Sequence, residues 1–221
     1  MERNNQLKDS LGRFMRNMFD LMVLNWLWLL CCLPVITIGP ATCAVYSVTL
    51  KMAREESFST VKCFFQEFKN SFVQGLASGL IALLLLLVAA GDAWFALQQT
   101  GYMHTVFLAV AISIAAVAMS FIAYVFPLQA RFKNSLKQHV INAFSLVFIS
   151  PLKTLQLWLI LLAPWLFAIG LPQIAVGLLG FLYILFGFSG PMYINSRILR
   201  SIFDKVAGAD EAAPSPMQEE Q

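Results

Sequence analysis

Charge is what this sequence has least of. Only 12% of its 221 residues are Asp, Glu, Lys or Arg, while 59% are hydrophobic and the mean hydropathy is +0.72. An ordinary soluble domain carries about twice that share of charge. A water-soluble fold of this composition would expose a large apolar area, so lipid is the expected solvent for much of the surface. Histidine is nearly missing: only His104 and His139 occur. The topology derived below puts them on opposite sides of a membrane, which excludes one shared metal site. The four cysteines, Cys31, Cys32, Cys43 and Cys63, follow neither CxxC nor any metal-ligand spacing, so free thiols are expected. No HExxH, GxSxG, Walker or GxGxxG pattern is present, nor any constellation for nucleophilic catalysis. The chain is therefore not expected to be an enzyme, to hold a cofactor or to bind nucleic acid. No A-x-A site or lipobox follows the first apolar run, so that run is expected to stay as a membrane segment.

Long apolar runs are abundant. Phe72–Leu97, Thr105–Pro127, Leu152–Ile169 and Ile174–Ile194 each reach or approach the roughly 20 residues needed to cross a hydrocarbon core. Only helices satisfy their own backbone in lipid over such lengths, so an all-α bundle with four full spans is expected. The connections at 98–104 and 170–173 are short and make their neighbours antiparallel.

The first apolar region differs. Between Arg16 and Lys51 the only charged residue is Asp20, and Pro34, Gly39 and Pro40 fall in the second half. Proline removes a helix donor, and a Gly-Pro pair favours a break with a new helix starting at Pro40. Basic residues decide the topology. All fifteen fall into four clusters: Arg3 to Arg16, Lys51 to Lys69, Arg131 to Lys153, and Arg197 to Lys205. The two short connections have none. If the first region enters and returns, every Lys and Arg is cytoplasmic, as the positive-inside rule asks. A helical hairpin over Met18–Leu50, either re-entrant or two short tilted spans and turning near Pro34–Pro40, is thus expected, with both termini in the cytoplasm of a bacterial cell.

Three basic segments read as amphipathic surface helices: Leu7–Leu21, Ser57–Phe72 and Asn134–Ile149. Such helices lie at the inner interface, near anionic lipid headgroups. The second has a phenylalanine face, and Phe64, Phe65 and Phe68 with Lys69 form a candidate partner-docking surface. Twice an amphipathic, Phe-bearing segment leads through a lysine (Lys69, Lys153) into a long helix and a return helix, a weak internal echo. Residues 1–206 form one membrane domain. Ala207–Gln221 is acidic and proline-containing, with disorder expected.

Polar residues inside the spans are the remaining candidates. Asp92 is the only acidic residue on the outer half. A carboxylate at the bilayer centre costs roughly 2.5–3.5 kcal/mol, less near a helix end, so Asp92 is either a substrate- or proton-handling group or an interface residue beside Trp94. Asp20 is expected at headgroup level. Asn25 or Asp20 is suited to satisfy backbone freed near Pro34. Gly75 and Gly79 form a GxxxG, suited to close packing within the bundle or to dimerisation. Gly177, Gly180, Gly187 and Gly190 ease packing of the last helix, and Pro191 is expected to kink or end it.

The stretch Asn25–Glu56 resembles the opening of the YesL family of bacterial membrane proteins. The matching pieces are N-x-L-W-L-L at Asn25–Leu30, L-P-V-x-T-I-G-P-A-T at Leu33–Thr42, Tyr46, and a charged loop at Lys51–Glu56. Phe64–Phe72 matches more loosely, and Asn142–Phe144 also fits. The resemblance makes Asn25, Pro34, Gly39, Pro40 and Thr42 candidate functional residues. It implies an accessory role in carbohydrate uptake, with a sugar transporter complex as partner, and supplies no catalytic residues. Two other functions are carried forward: a small transporter or channel, and a membrane-bound sensor or regulator.

Overall fold

The computed structural model describes residues 2–54, 56, 58–170, 180 and 185–212, with side-chain surroundings for 11–54, 56, 58–163, 180 and 185–203. Among these residues the fold is all-α, without a strand. Ten of the 21 residues of the expected span Ile174–Ile194 lie outside them, as do 213–221.

Helix α1 runs from Glu2 to Cys31. The expected surface helix Leu7–Leu21 and the first arm of the hairpin are therefore one helix, not two. Between Gly12 and Pro34 the sequence has no glycine or proline, and a change from basic to apolar surroundings does not interrupt backbone hydrogen bonding. Pro34 does, because it disfavours helical geometry at the residue before it. The Thr37 hydroxyl then donates to the Cys31 carbonyl, and also to that of Pro34 at 2.7 Å, satisfying groups left open at the helix end.

A single 3-10 turn, Val35–Thr37, leads into α2, Ile38–Ala53. The chain breaks between Cys31 and Ile38 and α1 packs against α2, which begins two residues before the proposed start at Pro40. Proline is tolerated there because the N–H groups of a first helical turn have no partner within the helix.

After α2 come α3, Thr60–Asn70; α4, Phe72–Gln98; and α5, Tyr102–Arg131. The α4–α5 turn needs Gly101 at φ +69, a left-handed conformation that glycine adopts without strain. His104 Nδ1 lies 2.8 Å from the Ala96 carbonyl and ties the turn to the end of α4. Helix α6, Leu136–Ile149, starts at a Ser135 cap, and α7, Pro151–Gly170, leaves it at a bend of 107°. Pro151 takes the first position of α7, where its fixed φ suits a helix start. A shorter helix followed by a longer one occurs twice, as α3–α4 with 11 and 27 residues and as α6–α7 with 14 and 20.

The final helix, α8, runs from Ser189 to Ala212. Pro191 lies in its first turn, and just before it the helical residues Leu185 and Phe186 give way to a turn at Gly187–Phe188, where a proline four residues on leaves a carbonyl without its helical donor. The helix also continues through 207–212, where disorder was expected; that stretch contains three alanines, strong helix formers.

Among the described residues three helical segments are long and apolar enough to cross a membrane: Val35–Ala53, α4 and α5. The bent α6–α7 pair makes a fourth if it counts as one span. These helices are compatible with a membrane protein. They are unlike in burial. The α2 segment is 72% buried inside the protein, against 22% for α4 and for α5. Helix α2 is the axis of the bundle, packed against α1, α3, α4, α5 and α8. Around it lie Leu21 and Leu24 of α1, Phe64 of α3, Tyr124 of α5 and Phe203 of α8. By contrast α4 and α5 pair with each other and present Leu84, Leu87, Val110 and Ile112 outward.

Candidate functional site

The hairpin motif is spent on joining helices. Asn25 is fully buried, and its side-chain oxygen accepts from the backbone N–H groups of Phe188 at 3.0 Å and Ser189 at 3.2 Å. It thereby caps α8 from another helix, satisfying orphan donors that a local Ser or Asp would otherwise take. The backbone it serves is next to Pro191, not next to Pro34. Ser189 returns the contact, donating to the Leu21 carbonyl at 2.8 Å. Three residues on from Asn25, Trp28 stacks on Phe188 with ring centroids 4.0 Å apart. Its indole N–H donates to the Thr42 hydroxyl at 3.2 Å, across the hairpin.

Gly39 and Pro40 meet the GxxxG of α4. A methyl group on Gly39 would overlap the Gly75 carbonyl oxygen, and one on Gly75 would lie 2.8 Å from Pro40 Cα. Gly79 approaches Gly39 Cα equally closely, at 3.0 Å from the place of a methyl. The GxxxG is thus filled from within the chain. Pro34 holds extended backbone ahead of the 3-10 turn and touches this contact only through the chain it redirects.

The other sequence candidates scatter. Asp92 is partly exposed near the C-terminal end of α4. Asp20 accepts from the Thr60 hydroxyl at 2.7 Å, fastening α1 to the start of α3. In the phenylalanine face, Phe64 is fully buried, stacked near Phe68 at 6.1 Å. It belongs to the core and leaves only Phe65 and Lys69 exposed, with Phe68 half-buried.

The richest polar arrangement involves residues that the sequence did not single out. The Cys43 thiol donates to Gln129 Oε1 at 3.2 Å, Gln129 Nε2 donates to Ser78 Oγ at 2.5 Å, and Ser78 donates to the Gln74 carbonyl at 2.8 Å. This chain joins α2, α5 and α4 inside the bundle. On the opposite face of α2, Thr49 and Ser196 share a 2.8 Å hydrogen bond, and Arg200 donates to the Ala53 carbonyl at 2.6 Å, closing the C-terminus of α2.

Gln129 is also the floor of an open basin of about 810 Å³ at the ends of α2, α4 and α5. Its walls carry Lys51, Arg54, Arg131 and Lys133 against Glu56 and Glu67. Lys51 pairs with Glu67 at 3.3 Å and Arg54 with Glu56 at 3.7 Å. Beside it, sharing Glu56, lies a second basin of about 480 Å³ bordered by Arg13, Arg16 and Arg197. Members of all four basic clusters therefore meet at one end of the bundle. A third cavity, about 560 Å³ and apolar, lies between α5 and the α6–α7 bend. Asp92 lines none of the three. Among the described residues no group of three or more His, Cys, Asp or Glu side chains gathers as a metal site would.

Fold and site together define an all-α bundle with membrane-length helices, a buried hairpin arm and a basic, basin-bearing end. Residues 21–93 match the model of a family described as "Protein of unknown function, DUF624". The match covers the last third of α1, the turn after it, α2, α3 and most of α4. No curated protein and no solved structure matches the chain.

Proposed function

We propose that this chain is a multi-pass protein of the bacterial cytoplasmic membrane, with four full spans plus the α1–α2 hairpin. Both termini and both basins are in the cytoplasm, and α3 and α6 lie at the headgroup level. The observation that carries this reading is the meeting of Arg13, Lys51, Arg131 and Arg197, one from each basic cluster, around two adjoining basins. The turn at 98–101 has no basic residue. Only an orientation with the basins inside obeys the positive-inside rule. Reporter fusions at the N-terminus, residue 101 and the C-terminus test it; a periplasmic N-terminus overturns it.

In that setting the protein acts as a non-enzymatic accessory component of carbohydrate uptake. This part rests on the YesL-like resemblance. It is supported by the way Asn25, Gly39, Pro40 and Thr42 are occupied in bracing helices, which suits a scaffold. The basic end and the exposed Phe65 and Lys69 remain as the surface for a transporter subunit. Co-purification from native membranes in mild detergent is the test, and recovery without any transporter subunit argues against it.

A further inference from the structure

We propose that the larger basin is a binding site for a phosphate group, with Arg131 and Lys133 as its anchoring cations. Of the four cations on its walls, Lys51 and Arg54 face Glu67 and Glu56. Neither Arg131 nor Lys133 has a carboxylate partner among the described residues; the Arg131 guanidinium instead sits 5.8 Å from the ring of Phe132. The basin therefore carries two cations in excess of its carboxylates. A phosphate monoester at neutral pH has a charge of about −1.5 to −2 and three strong acceptor oxygens. Guanidinium donors match those oxygens in pairs, and an ammonium adds a point charge.

The rest of the lining suits what a phosphate is attached to. Asn70, Ser71 and Asn134 stand on the walls with Gln74, and Ser47 and Gln129 are at the floor. Gln74 Nε2 is fixed on the Asn134 carbonyl at 3.1 Å, and Ser47 donates to the Ala130 carbonyl at 3.4 Å. The first bond holds the α5–α6 connection, which carries Lys133, against α4, and the second holds the end of α5 against α2. Neutral amides and hydroxyls beside a cation pair recognise a hydroxyl-bearing body next to the phosphate. The volume of about 810 Å³ falls in the range of small-molecule sites, roughly 300–1,000 Å³. A lipid headgroup and a soluble phosphate ester share this chemistry. The inference goes beyond the accessory role and does not depend on it, because binding in detergent reads the basin whatever the topology or partner.

The test uses the full chain purified in detergent, at near-physiological salt to screen loose charge attraction. One arm titrates inorganic phosphate and glycerol 3-phosphate and follows binding by calorimetry. The other reconstitutes the protein in nanodiscs of phosphatidylcholine with or without phosphatidic acid, and counts retained phosphatidic acid by native mass spectrometry. Arg131→Gln/Lys133→Gln is compared with Lys62→Gln/Lys137→Gln, which removes two exposed cations outside the basin. The site predicts at least about tenfold weaker binding in the first double variant and little change in the second. Binding in the lipid arm alone identifies a headgroup, in the soluble arm alone a free ester, and either supports the site. Should the double variant fail to fold, the exposed Lys133→Gln alone is read in the same way. Equal loss in both double variants, or no binding to any probe, overturns the proposal.

Discussion

The backbone of Gly39 rests on the carbonyl of Gly75, and no side chain comes between them. This contact seats the start of α2 on α4, and Gly79 lets it extend one turn further. In a bilayer such an approach is driven by van der Waals packing of small residues, because lipid supplies no hydrophobic force between helices.

Gly39→Ala and Gly75→Ala should therefore each lower stability by about 1–3 kcal/mol or more, since the added methyl meets backbone that has no rotamer to give. Gly91→Ala is the control: nothing lies within 4 Å of the place where its methyl would go. It should raise stability by about 0.5–1 kcal/mol through helix propensity alone. Thermal unfolding in detergent measures all three, and a Gly39→Ala protein as stable as the parent would contradict the packing.

Asn25→Ala should cost about 1–2 kcal/mol, the usual loss of a helix cap. The effect should be local as well as global. Hydrogen exchange at the Phe188 and Ser189 amides should speed up more than exchange in the middle of α4. Unchanged protection at those two amides would mean that Asn25 is not their acceptor.

Phe64→Ala and Phe65→Ala separate core from docking face. Phe64 is fully buried and should cost about 3–5 kcal/mol, whereas Phe65, 44% exposed, should cost far less. If the exposed end of α3 contacts a partner, Phe65→Ala should reduce co-purification of that partner while leaving the melting temperature nearly unchanged.

Asp92→Asn should change stability by no more than about 0.5 kcal/mol, as expected for a partly exposed position without a partner of note. Carbohydrate uptake in cells should be unaffected. A folded Asp92→Asn protein that abolishes uptake would favour the reading as a small transporter.

The limits of the sequence are physical. Helix α4 was legible to within a residue, because an apolar run of that length leaves the backbone no alternative in lipid. The hairpin followed from counting basic residues on either side of it. The division of α1 failed because composition changes where the environment changes, whereas a helix stops only where its hydrogen bonding stops. The start of α8 was within reach. Ser189-Gly190-Pro191 repeats the arrangement of Ile38-Gly39-Pro40, and the rule applied to the second pair applies equally to the first. Gln129 carried a faint signal as a lone amide two residues beyond Pro127 in an apolar run, and buried polar groups in such runs usually have a role. The burial of Phe64 carried none. All the phenylalanines of α3 look alike until α2 is laid against one of them.

Helix α2 has a further consequence for how the molecule is made. It is the shortest and least apolar of the three membrane-length segments, and it carries Thr42, Ser47 and Thr49. Most of its neighbours are synthesised after it, and the partner of Thr49, Ser196, comes near the end of the chain. Until α8 emerges from the ribosome, the segment at the centre of the bundle has no finished place to go. Biogenesis must therefore keep α2 waiting, and a chain cut before Ser189 leaves Thr49 without Ser196, its hydroxyl turned back on the Tyr46 carbonyl 3.2 Å away in its own helix.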